Sequence, residues 1–175
     1  GKSQEAFDSY LQVIELNPTF SNIYPSTTKF IRDSDLSQLN KSKLKQILNI
    51  LLERNDVTHN ELFKVFNFLY SNEIIINLEK LDSNSSNTEL FLNDPLILNA
   101  LRKIIFKDAK LEKLLTKFRR DICDRIANKK GEITNWQLKL IIALAEQCFS
   151  NEYIYSINEE ENKSLEKIIS ICQKG

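Results

Sequence analysis

Methionine is missing altogether from this sequence of 175 residues, and glycine and proline occur only three times each. A chain so short of turn-forming residues has few places to reverse tightly, which argues against a many-stranded sheet and for long helices. The glycines, Gly1, Gly131 and Gly175, stand too far apart to build a phosphate-cradling loop or a dinucleotide fingerprint. Histidine occurs once, as His59. It lies one residue inside a helix start, where a lone imidazole is expected to face solvent. A zinc hydrolase or a His–Cys nucleophile pair needs more or better-placed groups than one imidazole and three thiols expected in the core. No catalytic residue, cofactor or metal ligand is therefore assigned. No apolar run approaches the roughly 18 residues needed to cross a bilayer, and the polar opening from Gly1 to Tyr10 is not a secretory signal. With no methionine and a glycine in first place, the chain is expected to be a piece of a longer protein. Its 24 basic and 24 acidic residues cancel, so net charge points to neither nucleic acid nor membrane as a partner.

What is present is hydrophobic periodicity. Cys123, Cys148 and Cys172, odd in number, fall in helical patterns, which predicts reduced core thiols and a cytoplasmic setting. Leu44, Ile47, Leu48, Leu51 and Leu52 form one helix stripe; Leu62, Phe63, Phe66, Leu69 and Tyr70 form another, opened by a Thr58/Glu61 capping box. Residues 72–93 are the weakest stretch: Ile74, Ile75 and Ile76 fit a short strand or a helix turn, and LDSNSSNTE reads as a loop. Asp94-Pro95 is an N-cap followed by proline at the first helical position. Asp108 caps a long helix whose apolar face is Leu111, Leu114, Leu115, Phe118, Ile122 and Ile126, with Gly131 as its stop. Asp121 and Asp124 on its exposed side are expected to pair with the neighbouring Arg120 and Arg125. Thr134 with Gln137 makes a further capping box, and Asn158 precedes three glutamates suited to the positive end of a helix. The pattern predicts an all-α domain of about six or seven helices.

The opening, GKSQEAFDSYLQVIELNP, matches the second helix of a tetratricopeptide repeat. Gly1 stands at the turn between the repeat's two helices, and Ala6 allows close helix contact. Tyr10 fills the groove between helices, Val13 shares the face of Ala6 and Tyr10, and Pro18 ends the unit. The next segment, TFSNIYPSTTKFIRD, has the length of a following helix but not its pattern, and Pro25 is expected to break or restart it. This places the end of a repeat array at 1–36 and a helical connector domain at 37–175, with Asp33 to Asn40 as the joint.

Two concentrations of chemistry remain. Arg102 to Lys130 holds 11 basic residues against 4 acidic ones. It is a candidate anion or nucleic-acid surface, with Lys110, Lys113, Lys117, Arg119 and Arg120 at its centre. Aromatics are not interleaved on that face, so an intramolecular complement to the acidic flanks is the favoured reading. The second is QCFSNEY, where Gln147, Cys148, Asn151, Glu152 and Tyr153 could line an interface or serve a helix end. Glu152 is expected to accept hydrogen bonds from backbone amides or from the basic window, tying the last two helices to the long one. Asn151 is expected to satisfy a helix end.

Taken in order, GKSQEAFDSYLQVIELNP, TFSNIYPSTTKFIRDSD, DPLILNALRKIIFKDAKLEKLLTKFRRDI and LIIALAEQCFSNEYIYSINEEE resemble a class of bacterial tetratricopeptide proteins. In these proteins a repeat array is followed by a helical region and then by an S-adenosylmethionine-dependent methyltransferase domain. The resemblance runs through nearly the whole chain and is sharpest at QCFSNEY. It implies a non-catalytic protein-interaction and connector module, with another protein or an adjacent domain as partner. The glycine-rich cofactor loop of the methyltransferase has no counterpart here, so no catalytic residue carries over.

Overall fold

The turn-poor composition is realised as helix throughout: in the computed structural model every described element is helical, and no strand occurs among the described residues. Those residues are 1–80, 86–130, 132–151 and 156–173. Nine α-helices follow in order: α1 (Lys2–Leu16), α2 (Ile23–Asp33), α3 (Lys41–Glu53), α4 (Phe63–Glu79), α5 (Ser86–Leu92), α6 (Pro95–Lys103), α7 (Ala109–Ala127), α8 (Asn135–Ser150) and α9 (Glu159–Cys172). Short 3-10 turns at Leu36–Gln38 and His59–Leu62 precede α3 and α4. The count exceeds the expected six or seven because the weak stretch contains helix. Ile74 to Ile76 continue α4, and Ser86 to Glu89 belong to α5 instead of a loop. Residues 81–85 of that expected loop lie outside the described set.

The chain divides into two compact units, Gly1–Asn72 and Glu73–Gly175, whereas the sequence pattern placed its boundary after residue 36. The expected joint is built into the first unit. Leu36 and Leu39 are buried in it, and the Asn40 N–H donates to Gln4 Oε1 at 2.8 Å.

In the first unit α1 packs on α2, with Phe7, Leu11 and Ile14 as its buried face. The Phe30 ring lies 6.3 Å from Phe7 and 5.1 Å from Tyr10. Pro25 neither breaks nor kinks α2. It occupies the third position, in the first turn, where the missing amide has no helical carbonyl to serve. The Tyr24 hydroxyl donates to the Pro18 carbonyl at 2.7 Å, and the Arg54 guanidinium sits 3.9 Å from the Tyr24 ring centroid. The α3 stripe Leu44, Ile47, Leu48, Leu51 and Leu52 is fully buried. The Thr58/Glu61 capping box does not form, because the chain enters α4 through a 3-10 turn. Thr58 makes no side-chain cap, and Glu61 reaches Arg32 at 3.0 Å instead. His59 in that turn is half-buried, with its Nε2 enclosed and unpaired, so it does not face solvent as expected.

In the second unit α6 packs on α8, and α7 packs on both α8 and α9. The predicted caps form. Asp94 accepts from the Leu96 amide with Pro95 at the helix start, Asp108 accepts from Leu111, and Asn158 accepts from Glu161. Thr134 and Gln137 complete a reciprocal box. Such caps stabilise a helix by about 1 kcal/mol each. Along α7, Leu111, Leu115, Phe118 and Ile122 are buried, while Leu114 and Ile126 are half-buried. Phe118 stacks on Trp136 of α8 at 6.4 Å. The left-handed residue after α7 is Lys129, at φ 51°; Gly131 lies outside the described residues.

Candidate functional site

The segment that held the sharpest sequence signal begins in the C-terminal turn of α8, and among its described residues the side chains of Gln147 and Asn151 are buried. Gln147 is buried among apolar neighbours, and its amide bridges the end of α6 to the start of α7. Nε2 donates to the carbonyls of Leu101 at 2.8 Å and Ile104 at 2.5 Å. Oε1 accepts from the Phe106 amide at 3.3 Å. One turn on, Asn151 Nδ2 donates to the Phe106 carbonyl at 3.2 Å. Both residues therefore satisfy backbone groups that the end of α6 leaves open, which a buried chain cannot do without. Glu152 and Tyr153 lie outside the described residues, and so does the Cys172 thiol.

The carboxylate that meets the basic window is Glu161, in the first turn of α9. Its side chain is 1% exposed. Arg119 Nε donates to Oε1 at 2.5 Å and Nη2 to Oε2 at 3.0 Å; Arg120 Nε adds a bond to Oε2 at 3.2 Å. Both guanidiniums also donate to the Ser156 carbonyl, at 3.0 and 3.2 Å. Arg119 Nη1 lies 3.0 Å from the Cys148 sulfur. Burial works against the Arg119 charge, but the bonds to Glu161 and Cys148 outweigh it and hold its pKa above the usual value. The same burial raises the thiol pKa values of Cys123 and Cys148; for Cys148 the Arg119 bond offsets part of the rise. Both are free and held protonated, a poor state for nucleophilic work.

This node changes the meaning of the basic window. Arg119, read as a surface cation, is buried, and Arg120 is half-buried beside it. Lys110 pairs with Glu79 at 2.9 Å and Arg102 approaches Glu146 at 3.6 Å. Asp124 pairs with Lys130 at 3.0 Å, and Arg125 donates to the carbonyls of Lys130 and Glu132. Where Asp124 was expected to pair with a neighbouring arginine it pairs with Lys130, while Arg120 turns to Glu161 and Arg125 to backbone carbonyls. Lys113 and Lys117 stand exposed one turn apart on α7. The groove of about 580 Å³ between α7 and α9 is lined by both signs, Arg120, Lys163 and Lys167 with Asp121, Asp124 and Glu160. Among the described residues no group of three or more His, Cys, Asp or Glu could hold a metal ion. No helix among them is long and apolar enough to cross a membrane.

At the other end, Ala6 and Tyr10 lie half-buried on the flank of α1 beside Phe30, while Gly1, Val13 and Pro18 are exposed. Val13 and Leu16, one turn apart on the side of α1 away from its buried residues, make an uncovered apolar corner where α1 ends, with Leu16 76% exposed, and Phe20 in the following turn is also exposed. Sequence reasoning missed this corner because Leu16 and Phe20 lie outside the repeat positions. It also missed the Arg119–Glu161 pair, whose members stand 42 residues apart. No family model, curated protein or solved structure matches the chain.

Proposed function

We propose that this chain is a non-catalytic protein-interaction and connector module. In this reading it joins the end of a tetratricopeptide array to a following domain, a methyltransferase in the proteins it resembles, in the cytoplasm of a bacterium. The observation that carries the reading is the apolar corner of Val13 and Leu16 on the outer side of α1, with Phe20 exposed in the turn that follows. A large aliphatic side chain left three-quarters exposed gains about 1.5–3 kcal/mol when covered. The inner face of α1 is already satisfied by Phe30 and the core, so a covering element would approach from outside, as the preceding helix of a repeat does. The Gln147 and Arg119–Glu161 braces support the same reading: they stiffen the second unit, which suits a spacer that fixes the distance between two neighbours.

The test compares Leu16→Asp in this chain and in a longer protein that includes the preceding residues. In this chain the substitution changes stability by less than about 0.5 kcal/mol, as for other surface positions. In the longer protein it destabilises by about 1–3 kcal/mol, because a carboxylate is then buried without a partner. Equal effects in both would refute the connector reading of α1.

A further inference from the structure

Helix α8 carries two apolar faces, and only one is used. Leu140, Ala143, Leu144 and Gln147 face the core. On the opposite side Leu138, Ile142, Ala145 and Phe149 recur at the spacing of a single helical stripe, and all four are exposed. Leu138 and Ile142 are each 46% exposed and Phe149 is 79% exposed. A second apolar stripe of this length on one helix is expected to be covered by another element. We propose that this stripe is a homodimer interface, on which α8 of a second copy of this chain packs antiparallel about a two-fold axis between Ile142 and Ala145.

Charge and size select this occupant. Lys139 and Glu146 stand two turns apart on the same flank of the stripe, on either side of the axis, and both are exposed. In an antiparallel pair each flank faces its own counterpart, so Lys139 of one copy meets Glu146 of the other, and the symmetry makes the contact twice. A parallel pair would bring Lys139 to the other flank, where Ile141 and Cys148 offer no countercharge. Among the described residues Glu146 meets Arg102 at a loose 3.6 Å, which leaves its carboxylate able to accept a second cation. The side chains fit in the same register: Phe149 lies over Leu138 of the other copy, and Ile142 fills the space above the small Ala145. One helix face of about three turns makes a small contact, at or below the lower bound of about 1,000 Å² in total for a specific interface. The dimer is therefore weak and concentration-dependent. The inference stands apart from the α1 corner and does not rest on the connector reading.

Sedimentation equilibrium of the 175-residue chain from micromolar to near-millimolar concentration tests it. A monomer–dimer equilibrium is expected, and Ile142→Glu, which places four like charges near the axis, raises Kd by tenfold or more. Lys139→Glu and Glu146→Lys each set like charges opposite one another and weaken the dimer by about three- to tenfold. The double exchange restores the opposite-charge contacts and recovers most of the affinity. A chain that stays monomeric throughout overturns the proposal. So does a dimer indifferent to Ile142→Glu, or one in which the double exchange is no better than the single changes. Circular dichroism of each variant shows that the helices are retained.

Discussion

Replacing Glu161 by alanine removes the acceptor on which three hydrogen bonds from two guanidiniums converge. The Arg119 side chain, 9% exposed, would keep the Ser156 carbonyl and the Cys148 sulfur but lose its countercharge. Breaking a buried pair in this way costs about 3–5 kcal/mol, since the remaining ion stays desolvated. Glu161→Gln keeps one acceptor oxygen but removes the charge and turns an amide donor towards a guanidinium, so about 2–3 kcal/mol is expected. The only tryptophan, Trp136, stacks on Phe118 of α7 and reports on this unit, so urea unfolding followed by its fluorescence measures the loss. With a denaturant slope of about 1–3 kcal/mol/M, the alanine variant's midpoint falls by roughly 1–5 M. Arg119→Met combined with Glu161→Leu should cost less than Glu161→Ala, because no buried charge is stranded. A loss below about 1 kcal/mol for Glu161→Ala would show that α7 and α9 are not held by this node.

Three further outcomes follow from the same structure. Gln147→Leu leaves the Leu101 and Ile104 carbonyls and the Phe106 amide without their side-chain partner, and thermal unfolding should show a loss of about 2–4 kcal/mol. Phe118→Ala opens a cavity against Trp136 and should cost about 3–5 kcal/mol in the same urea titration, with a shifted emission maximum. Lys43 beside Asp8 and Lys130 beside Asp124 hold both carboxyls below the ordinary aspartate value of 3.8. Their stabilising effect is therefore complete above that value and is lost as pH falls through the lower folded-state values, because the unfolded chain binds protons first. Acid titration by circular dichroism should show stability declining from about pH 4 downward, and substituting Asp8 and Asp124 by asparagine should flatten the decline.

Local signals survived the step from sequence to structure better than distant ones. The caps at Asp94, Asp108, Thr134 and Asn158 depend on residues within three positions, and each forms as its spacing indicates. The stripes on α3 and α7 were legible for the same reason. Thr58 shows the limit: its spacing to Glu61 is right, but a 3-10 turn changes the geometry and Arg32 takes the carboxylate. Arg119 was hidden because a cation next to Arg120 and Asp121 reads as solvated surface. Only the fold brings Glu161 to it, and that glutamate also suits the positive end of α9. Gln147 was noticed as polar among apolar residues, yet its three backbone partners lie more than 40 residues away.

Hydrogen exchange of the α1 amides tests the central claim most directly, comparing this chain with a longer protein that carries the preceding residues. If α1 is the last full helix of a repeat array, covering Val13, Leu16 and Phe20 should slow exchange across the second half of α1 by tenfold or more. The amides of α3, whose stripe is already fully buried, should exchange at similar rates in both. Unchanged exchange in α1, with Leu16 still exposed in the longer protein, would contradict the connector account.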